Sequence, residues 1–443
     1  MLAPAPAAVL HRRMGTALVI GTGVIGAACA LELARDGWDV LSVDRHAQAG
    51  HGSTSASSGV IRMHYSTRDG TALAWEGQRH WADWAAHVDL PPGTPLAPFR
   101  RCGCLVMKHA ANGGLARAME HSRALGIPFE EWDAPRIREA LPDPDLRAFW
   151  PPRRADDPRF GEPTGGAVEG GVFWPDAGYV SDPALAAQNL WDAACRVGAG
   201  FARGEVVAVL RGARVEGVRL ADGRELRADL VLNAAGPGSG RINALAGVAG
   251  EMGVATRPMR VETTTLPAPT GWDMAARGIV VSDADIGCYA KPEVGGRVSV
   301  GTEGPDCDAP MWLDDEDPGP DGAGAQAELQ AWRYAQRIPS VPLPTRVPGA
   351  VGVYDVSDDW LPIYDRSSLP GYYMACGTSG NQFKNAPVAG RIMAALVRHC
   401  EAGGDHDRTP LRMRLPRTGN AVDLGTFSRL RRLNPESSLS VLG

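Results

Sequence analysis

Gly21-Thr22-Gly23-Val24-Ile25-Gly26 sets three glycines at a spacing that lets a main chain wrap a pyrophosphate. Gly21 permits the tight turn, Gly23 lets the backbone approach the phosphates, and Gly26 lets the following helix pack closely on the strand before it. Asp44, 23 residues beyond Gly21, supplies a carboxylate able to accept hydrogen bonds from a ribose diol. Together these residues read as a dinucleotide site, and the motif by itself serves NAD and FAD alike. Ser53, Thr54 and Ser55 add small hydroxyls suited to a pyrophosphate. Near the other end of the chain, Gly377-Thr378-Ser379-Gly380-Asn381-Gln382-Phe383-Lys384 is a second glycine-rich run leading into a helix. Its backbone N–H groups and the positive end of that helix suit a place where negative charge gathers.

The elements that must position these residues follow from periodicity. The apolar run Thr16–Ile20 predicts a strand, and Ala27, Ala30, Leu31, Leu33 and Ala34 predict a helix. Residues 38–43 predict a second strand closed by Asp44, which completes a βαβ unit. A helix is expected from Asp69, taken as its N-cap, through Leu73, Trp75, Gln78, Trp81, Trp84 and Ala85, with the tryptophans turned to the core. From residue 90 to about 165 the chain turns rich in Pro and Arg, with a short strand over 104–108 and a helix over 115–125, and this opens a separate domain. A helix over 184–197, a small β-meander over 204–228 and a buried strand over 230–233, entering the turn Asn233-Ala234-Ala235-Gly236, return to the nucleotide-binding part. Strands and a helix over 325–336 follow, with the acidic segment 314–324 read as a solvated loop. The last unit is a strand over 372–376, the glycine-rich run and a helix over 387–399. The arginine-rich tail beyond 404 reads as solvated or partner-contacting.

Composition narrows the function classes. A chain of 443 residues with 44% hydrophobic and 22% charged residues has the balance of a soluble globular protein and room for two or three domains. Its 54 glycines and 35 prolines show no Gly-X-Y period, so they serve turns rather than a collagen helix. The net charge of -6 offers no basic footprint for nucleic acid or an anionic membrane. Apolar runs are strand length, far short of the roughly 20 residues that span a bilayer. Residues 1–13 place apolar residues before His11, Arg12 and Arg13, the reverse of a secretory signal, and read as a frayed extension, with Met14 an alternative start. Eight scattered cysteines, of which only Cys102 and Cys104 are close, indicate neither a zinc site nor a disulfide framework, which suits a cytoplasmic protein.

The two glycine-rich runs, the segment Gly52-Ser53-Thr54-Ser55-Ala56-Ser57-Ser58-Gly59-Val60-Ile61-Arg62 and the Asn233–Gly236 turn, in this order, resemble the flavoprotein family of sarcosine oxidase, dimethylglycine dehydrogenase and glycine oxidase, within the D-amino-acid oxidase fold. The resemblance runs from about Met14 to Glu401. It implies an α/β protein. A Rossmann-like FAD-binding domain would be assembled from residues 14–90, 165–256 and 346–401, and an α+β substrate domain on a mainly antiparallel sheet from 91–164 and 257–345, with 1–13 and 405–443 as terminal extensions. It also implies non-covalent FAD and extends the cofactor set to Val24, Ile25, Arg45, Ser58, Gly59, Val206, Ala235, Gly236, Gly377, Gly380, Asn381, Gln382, Phe383 and Lys384. A flavin needs donors beside N1 and the C2 carbonyl, where charge develops on reduction, and the 377–380 turn can supply them.

The expected chemistry is hydride transfer from the carbon beside a neutral amine, with the substrate oriented by a gripped carboxylate. In the family pattern an Arg after the hydroxyl-rich segment and the Lys closing the glycine-rich run do this, and they match Arg62 and Lys384. Tyr289 matches a family Tyr beside the substrate, and His64, with Tyr65, follows Arg62 closely enough to share its face. Covalent flavin attachment would use positions that here hold Ala56 and Gly352, and an oxygen-activating Lys is replaced by Ser299. No folate-binding extension is expected. Trp132, Trp150, Trp174, Trp272 and Trp312 permit an aromatic substrate. The leading expectation is an FAD-dependent oxidoreductase that takes an amino acid or N-alkyl amino acid to its imine, with oxygen or another carrier as acceptor and a possible homo-oligomer. Desaturation of a cyclic imino acid, a flavin-binding subunit completed by a partner, and an NAD-dependent dehydrogenase are the alternatives.

Overall fold

A computed structural model describes residues 14–110, 113–319, 322–434, 437, 438 and 440; the expected N-terminal extension 1–13 lies outside them. Thr16–Ile20 is buried over four of its five residues, as an unbroken apolar run requires of an inner parallel strand. It pairs in parallel with Asp39–Asp44 on one side and Leu230–Asn233 on the other. Tyr372–Cys376 and Gly200–Arg203 continue the sheet outward in parallel, and Ile363–Arg366 closes one edge antiparallel, giving six strands. Helix Val24–Arg35 is apolar almost all round and is therefore an inner helix, packed between helices Pro183–Arg196 and Ala386–Glu401. At Gly390 a Cβ would stand 2.4 Å from the carbonyl oxygen of Ala28, so only glycine allows that helix pair to approach so closely.

A nine-stranded, mainly antiparallel sheet forms the second layer, with one parallel pairing between Cys104–Met107 and Val280–Asp283. It includes Gly170–Trp174 and Gly349–Ser357, which lie in segments expected to serve the nucleotide-binding part. Gly349–Ser357 runs antiparallel along Thr256–Pro267, and that long-range pairing leaves no mark in the local pattern. The expected meander is present as Val206–Arg211, Val215–Leu220 and Glu225–Arg227. A small sheet of Val60–Ile61, Gly178–Val180 and Phe99–Arg101 joins the two layers.

Two expectations are corrected. Helix Arg68–Ala82 is capped by Thr67, whose hydroxyl accepts from Gly70 N at 3.3 Å, while Asp69 sits in the first turn and accepts from Thr426. The described part of the tail, 405–434, is folded onto the body rather than solvated. Its hairpin Arg412–Arg414 with Ala421–Asp423 precedes buried Leu424 and Phe427, and Arg429 is only 2% exposed. Arg429 ion-pairs with Asp365 at 3.1 Å, Asp407 at 2.8 Å and Glu251 at 2.9 Å, and Arg431 with Asp359 at 2.7 Å. The acids lie far back along the chain or in turns, so the arginines alone look like a charge run. All eight cysteines are free, and among the described residues no helix is long and apolar enough to cross a membrane.

Candidate active site

Two adjoining cavities open where the parallel strands end. The larger, about 440 Å³, lies against the carboxyl ends of Thr16–Ile20, Asp39–Asp44 and Leu230–Asn233, the usual ligand crevice of such a sheet. Its walls include Gly21, Gly23, Val24, Ile25, Asp44 and Arg45 from the first βαβ unit, and Ser53, Thr54, Ser55 and Ser58 from the hydroxyl-rich segment. Val206, Ala235, Gly236, Gly380, Gln382 and Phe383 complete the expected set found there.

The cradle is built by backbone geometry. Gly21 has φ +99°, and a Cβ there would meet the carbonyl oxygen of Ala234 at 2.3 Å. Val24 N donates to the Thr54 hydroxyl at 3.1 Å, tying the hydroxyl-rich loop to the helix start. Asp44 accepts from Thr22 N at 2.8 Å and from His46 N at 2.8 Å, which fixes its carboxylate at the strand end facing the cavity. Ser53 is turned to donate to Val353 O at 2.7 Å. Three expected cofactor residues line neither cavity. Gly26 packs on Gly21, where a Cβ would come 2.0 Å from the carbonyl oxygen; Gly59 turns at φ +64° against Val180; Gly377 donates its N–H to Asp355 at 2.6 Å. The acidic segment expected to be solvated contributes Glu316 and Pro318 to the cavity wall. Glu316 pairs there with Arg45 at 3.3 Å and Arg241 at 3.2 Å.

The smaller cavity, about 60 Å³, shares Ser57, Ser58, Tyr289, Tyr354, Gly380 and Phe383 with the larger. Arg62, Lys384 and Asn381 line it, so the structure brings together cations from opposite ends of the chain. Arg62 donates to His64 O at 2.8 Å and its guanidinium lies 4.8 Å from the Tyr65 ring. Lys384 donates to the Tyr65 hydroxyl and to Asn381 O, and burial, with Arg62 beside it, pushes its ammonium well below the usual lysine range. Trp81 stacks on Phe383 at 5.2 Å and donates to Lys384 O at 2.8 Å, so the tryptophan helix braces the glycine-rich turn as well as filling the core. Tyr289 lines both cavities, opposite Gly301 on the next strand, where any side chain would strike its ring.

His64 does not reach either cavity. It is buried against Trp174, 4.8 Å between rings, and burial with Arg62 nearby holds the imidazole neutral, well below the ordinary histidine value. None of the five tryptophans offered for an aromatic substrate lines the small cavity, and Trp132, for one, stacks on Phe173 instead. Ala56 and Gly352 face each other in the large cavity. Ser299 stands opposite Lys291, whose ammonium is taken up by Glu293 at 2.5 Å and the Tyr179 ring at 4.7 Å. The sequence reading missed Tyr354, Ser282 and Glu303. Each is placed by strand pairing, and Glu303 sits just past a strand end where a turn residue is the ordinary reading.

Residues 16–396 match the DAO family, FAD dependent oxidoreductase. The chain belongs to this family and is an FAD-dependent oxidoreductase. Its structure is similar to L-proline dehydrogenase from P. horikoshii, at TM-score 0.73 and 19% identity over 96% of this chain and 100% of that one. Glycine oxidase from Geobacillus kaustophilus superposes at TM-score 0.70 and 21% identity, covering 95% and 99%. Among curated proteins it is similar to the tRNA 5-methylaminomethyl-2-thiouridine biosynthesis bifunctional protein MnmC of Pseudomonas paraeruginosa (strain DSM 24068 / PA7), 26% identical over 89% of this chain and 57% of that protein. The chain spans no more than 57% of the length of the curated relatives it matches. The cavity fits FAD: its volume suits a cofactor, Gly21 makes a turn that no Cβ allows, and Gly23 and Gly236 keep their stretches of the wall free of side chains.

Proposed function

We propose that this protein oxidises the C–N bond of a small amino acid or N-alkyl amino acid to the imine, which water then hydrolyses. The observation carrying this reading is the convergence of Arg62 and Lys384 on a 60 Å³ cavity continuous with the nucleotide cavity. Bound FAD supplies the two-electron acceptor for hydride. Gly21, Gly23 and the start of helix Val24–Arg35 would hold the pyrophosphate, Asp44 the ribose and the Ser53–Ser55 loop the polyol chain, with Val206, Ala235 and Gly236 also in the cavity wall. The turn at Gly380–Phe383 would supply donors for the negative charge that develops on the flavin. Arg62 grips the substrate carboxylate, Lys384 adds a donor, and Tyr289 closes the side of the pocket. Ala56 and Gly352 offer no nucleophile, which supports dissociable FAD. The cation clamp and the nucleotide walls come from one chain, and the arginine tail that favoured a partner-completed subunit is folded onto its own acids. Turnover by the isolated chain is therefore expected, with oxygen or another carrier taking the electrons.

Anaerobic mixing of the yellow protein with a panel of N-methyl, cyclic and simple amino acids tests the reading. Bleaching by at least one of them is expected. A protein reduced by dithionite but by none of the panel would overturn it.

A further inference from the structure

The small cavity holds one carboxylate among its lining residues, and the function above leaves it without a task. Ser282, Tyr289 and Gly301 stand in register across three neighbouring strands, and Glu303, two residues past Gly301, projects from the same face into the pocket. Its side chain accepts from the Ser282 hydroxyl and the Asp283 backbone N–H, and no cation stands within ion-pair distance among the described residues. A carboxylate withdrawn from water without a cation is costly and awaits a positive partner. The same pocket carries Arg62 and Lys384, so its lining is charged in both senses, as the two ends of a zwitterion require. At 60 Å³ the space admits on the order of five water-sized atoms. That excludes a long basic side chain and leaves the reacting amine as the group that meets Glu303.

Resting on the amino-acid reading above, we propose that Glu303 is the proton acceptor for the substrate ammonium. An N–H bond breaks, an O–H bond forms on the carboxylate, and the nitrogen lone pair so freed drives hydride departure from the adjacent carbon. The proton returns to water when product leaves. The surroundings suit the role: burial and Asp283 push the carboxyl up to about 7, while the Ser282 hydroxyl and Arg62 pull the other way. Tyr289 and Cys104 face it from the neighbouring strands, Cys288 lies behind on the opposite sheet face, and Lys384 faces the same pocket from the glycine-rich turn.

The test measures the pH dependence of anaerobic flavin reduction by the best substrate of the panel. In the wild type the rate at low substrate falls below pH about 7 as Glu303 becomes protonated. In E303Q that limb moves up towards the substrate amine's own range, and the rate at neutral pH drops on the order of 100-fold. E303D restores the limb. S282A, which removes the one hydroxyl that favours the carboxylate, shifts it to higher pH and decides the matter should E303Q fail to retain FAD. An infrared carboxylic-acid band that titrates in substrate-free wild type and is missing from E303Q gives a readout independent of turnover. An unchanged pH profile in S282A, or in an FAD-loaded E303Q, overturns the proposal while leaving the oxidation reading intact. A wild type that no amino acid reduces overturns both.

Discussion

At the residue scale, the protonation of Lys384 bears on the proposed carboxylate clamp. Lys384 is held well below its ordinary value by burial and by Arg62. Binding a carboxylate favours the charged lysine, so binding takes up a proton and affinity falls as pH rises. Propionate, which cannot reduce the flavin, should therefore bind more weakly at higher pH, with a shallower slope in Lys384→Met, as followed by perturbation of the flavin spectrum. Arg62→Ala removes a charge-assisted contact worth about 1.5–3 kcal/mol, so half-saturation for substrate should rise roughly 10- to 150-fold. Unchanged half-saturation would remove Arg62 from the clamp. Arg62 and Lys384, which the structure brings to one cavity, could be singled out because each follows a recognisable segment. Glu303 could not, since its place depends on Ser282 and Tyr289 reaching the same sheet face, and sequence adjacency of His64 to Arg62 says nothing of direction: its ring lies against Trp174, outside both cavities.

At the element scale, glycines set how closely the layers approach. Gly390 lets helix Ala386–Glu401 touch Val24–Arg35, the helix whose start borders the nucleotide cavity. Gly390→Ala improves helix propensity by about 1 kcal/mol, but its Cβ would press on a backbone carbonyl at 2.4 Å, and overpacking of that kind costs about 1–3 kcal/mol. A net loss of stability in denaturant unfolding is expected, and a gain would show that the helices part easily. The βαβ unit and the final strand–turn–helix were legible because strand, glycine turn and helix follow one another locally. The membership of Gly349–Ser357 in the antiparallel sheet was not, because its partner Thr256–Pro267 is remote in sequence.

At the scale of the whole molecule, the tail fastens the glycine-rich end of the chain to its body. Arg429 faces Asp365, Asp407 and Glu251, and removing one side of such a buried network costs about 3–5 kcal/mol. Arg429→Ala should lower the thermal midpoint by several degrees, with a smaller effect at exposed Arg412; equal midpoints would show the tail to be peripheral. Sequence order alone could show that the FAD-binding part is gathered from separated segments, since the motifs sit at both ends of the chain. It could not show what the arginines face, since charge patterning is blind to tertiary partners.

On the proposed function, the cavity beside the nucleotide cradle takes an amino acid by its carboxylate, and the amino acid gives up its electrons to FAD. Anaerobic titration of the purified protein with the amino-acid panel, read by absorption, tests it most directly. The account predicts flavin bands that bleach with at least one small amino acid, bleach only at much higher concentration in Arg62→Ala, and leave with the supernatant on acid precipitation. Flavin bands that no amino acid bleaches, in a protein that dithionite reduces fully, would contradict it.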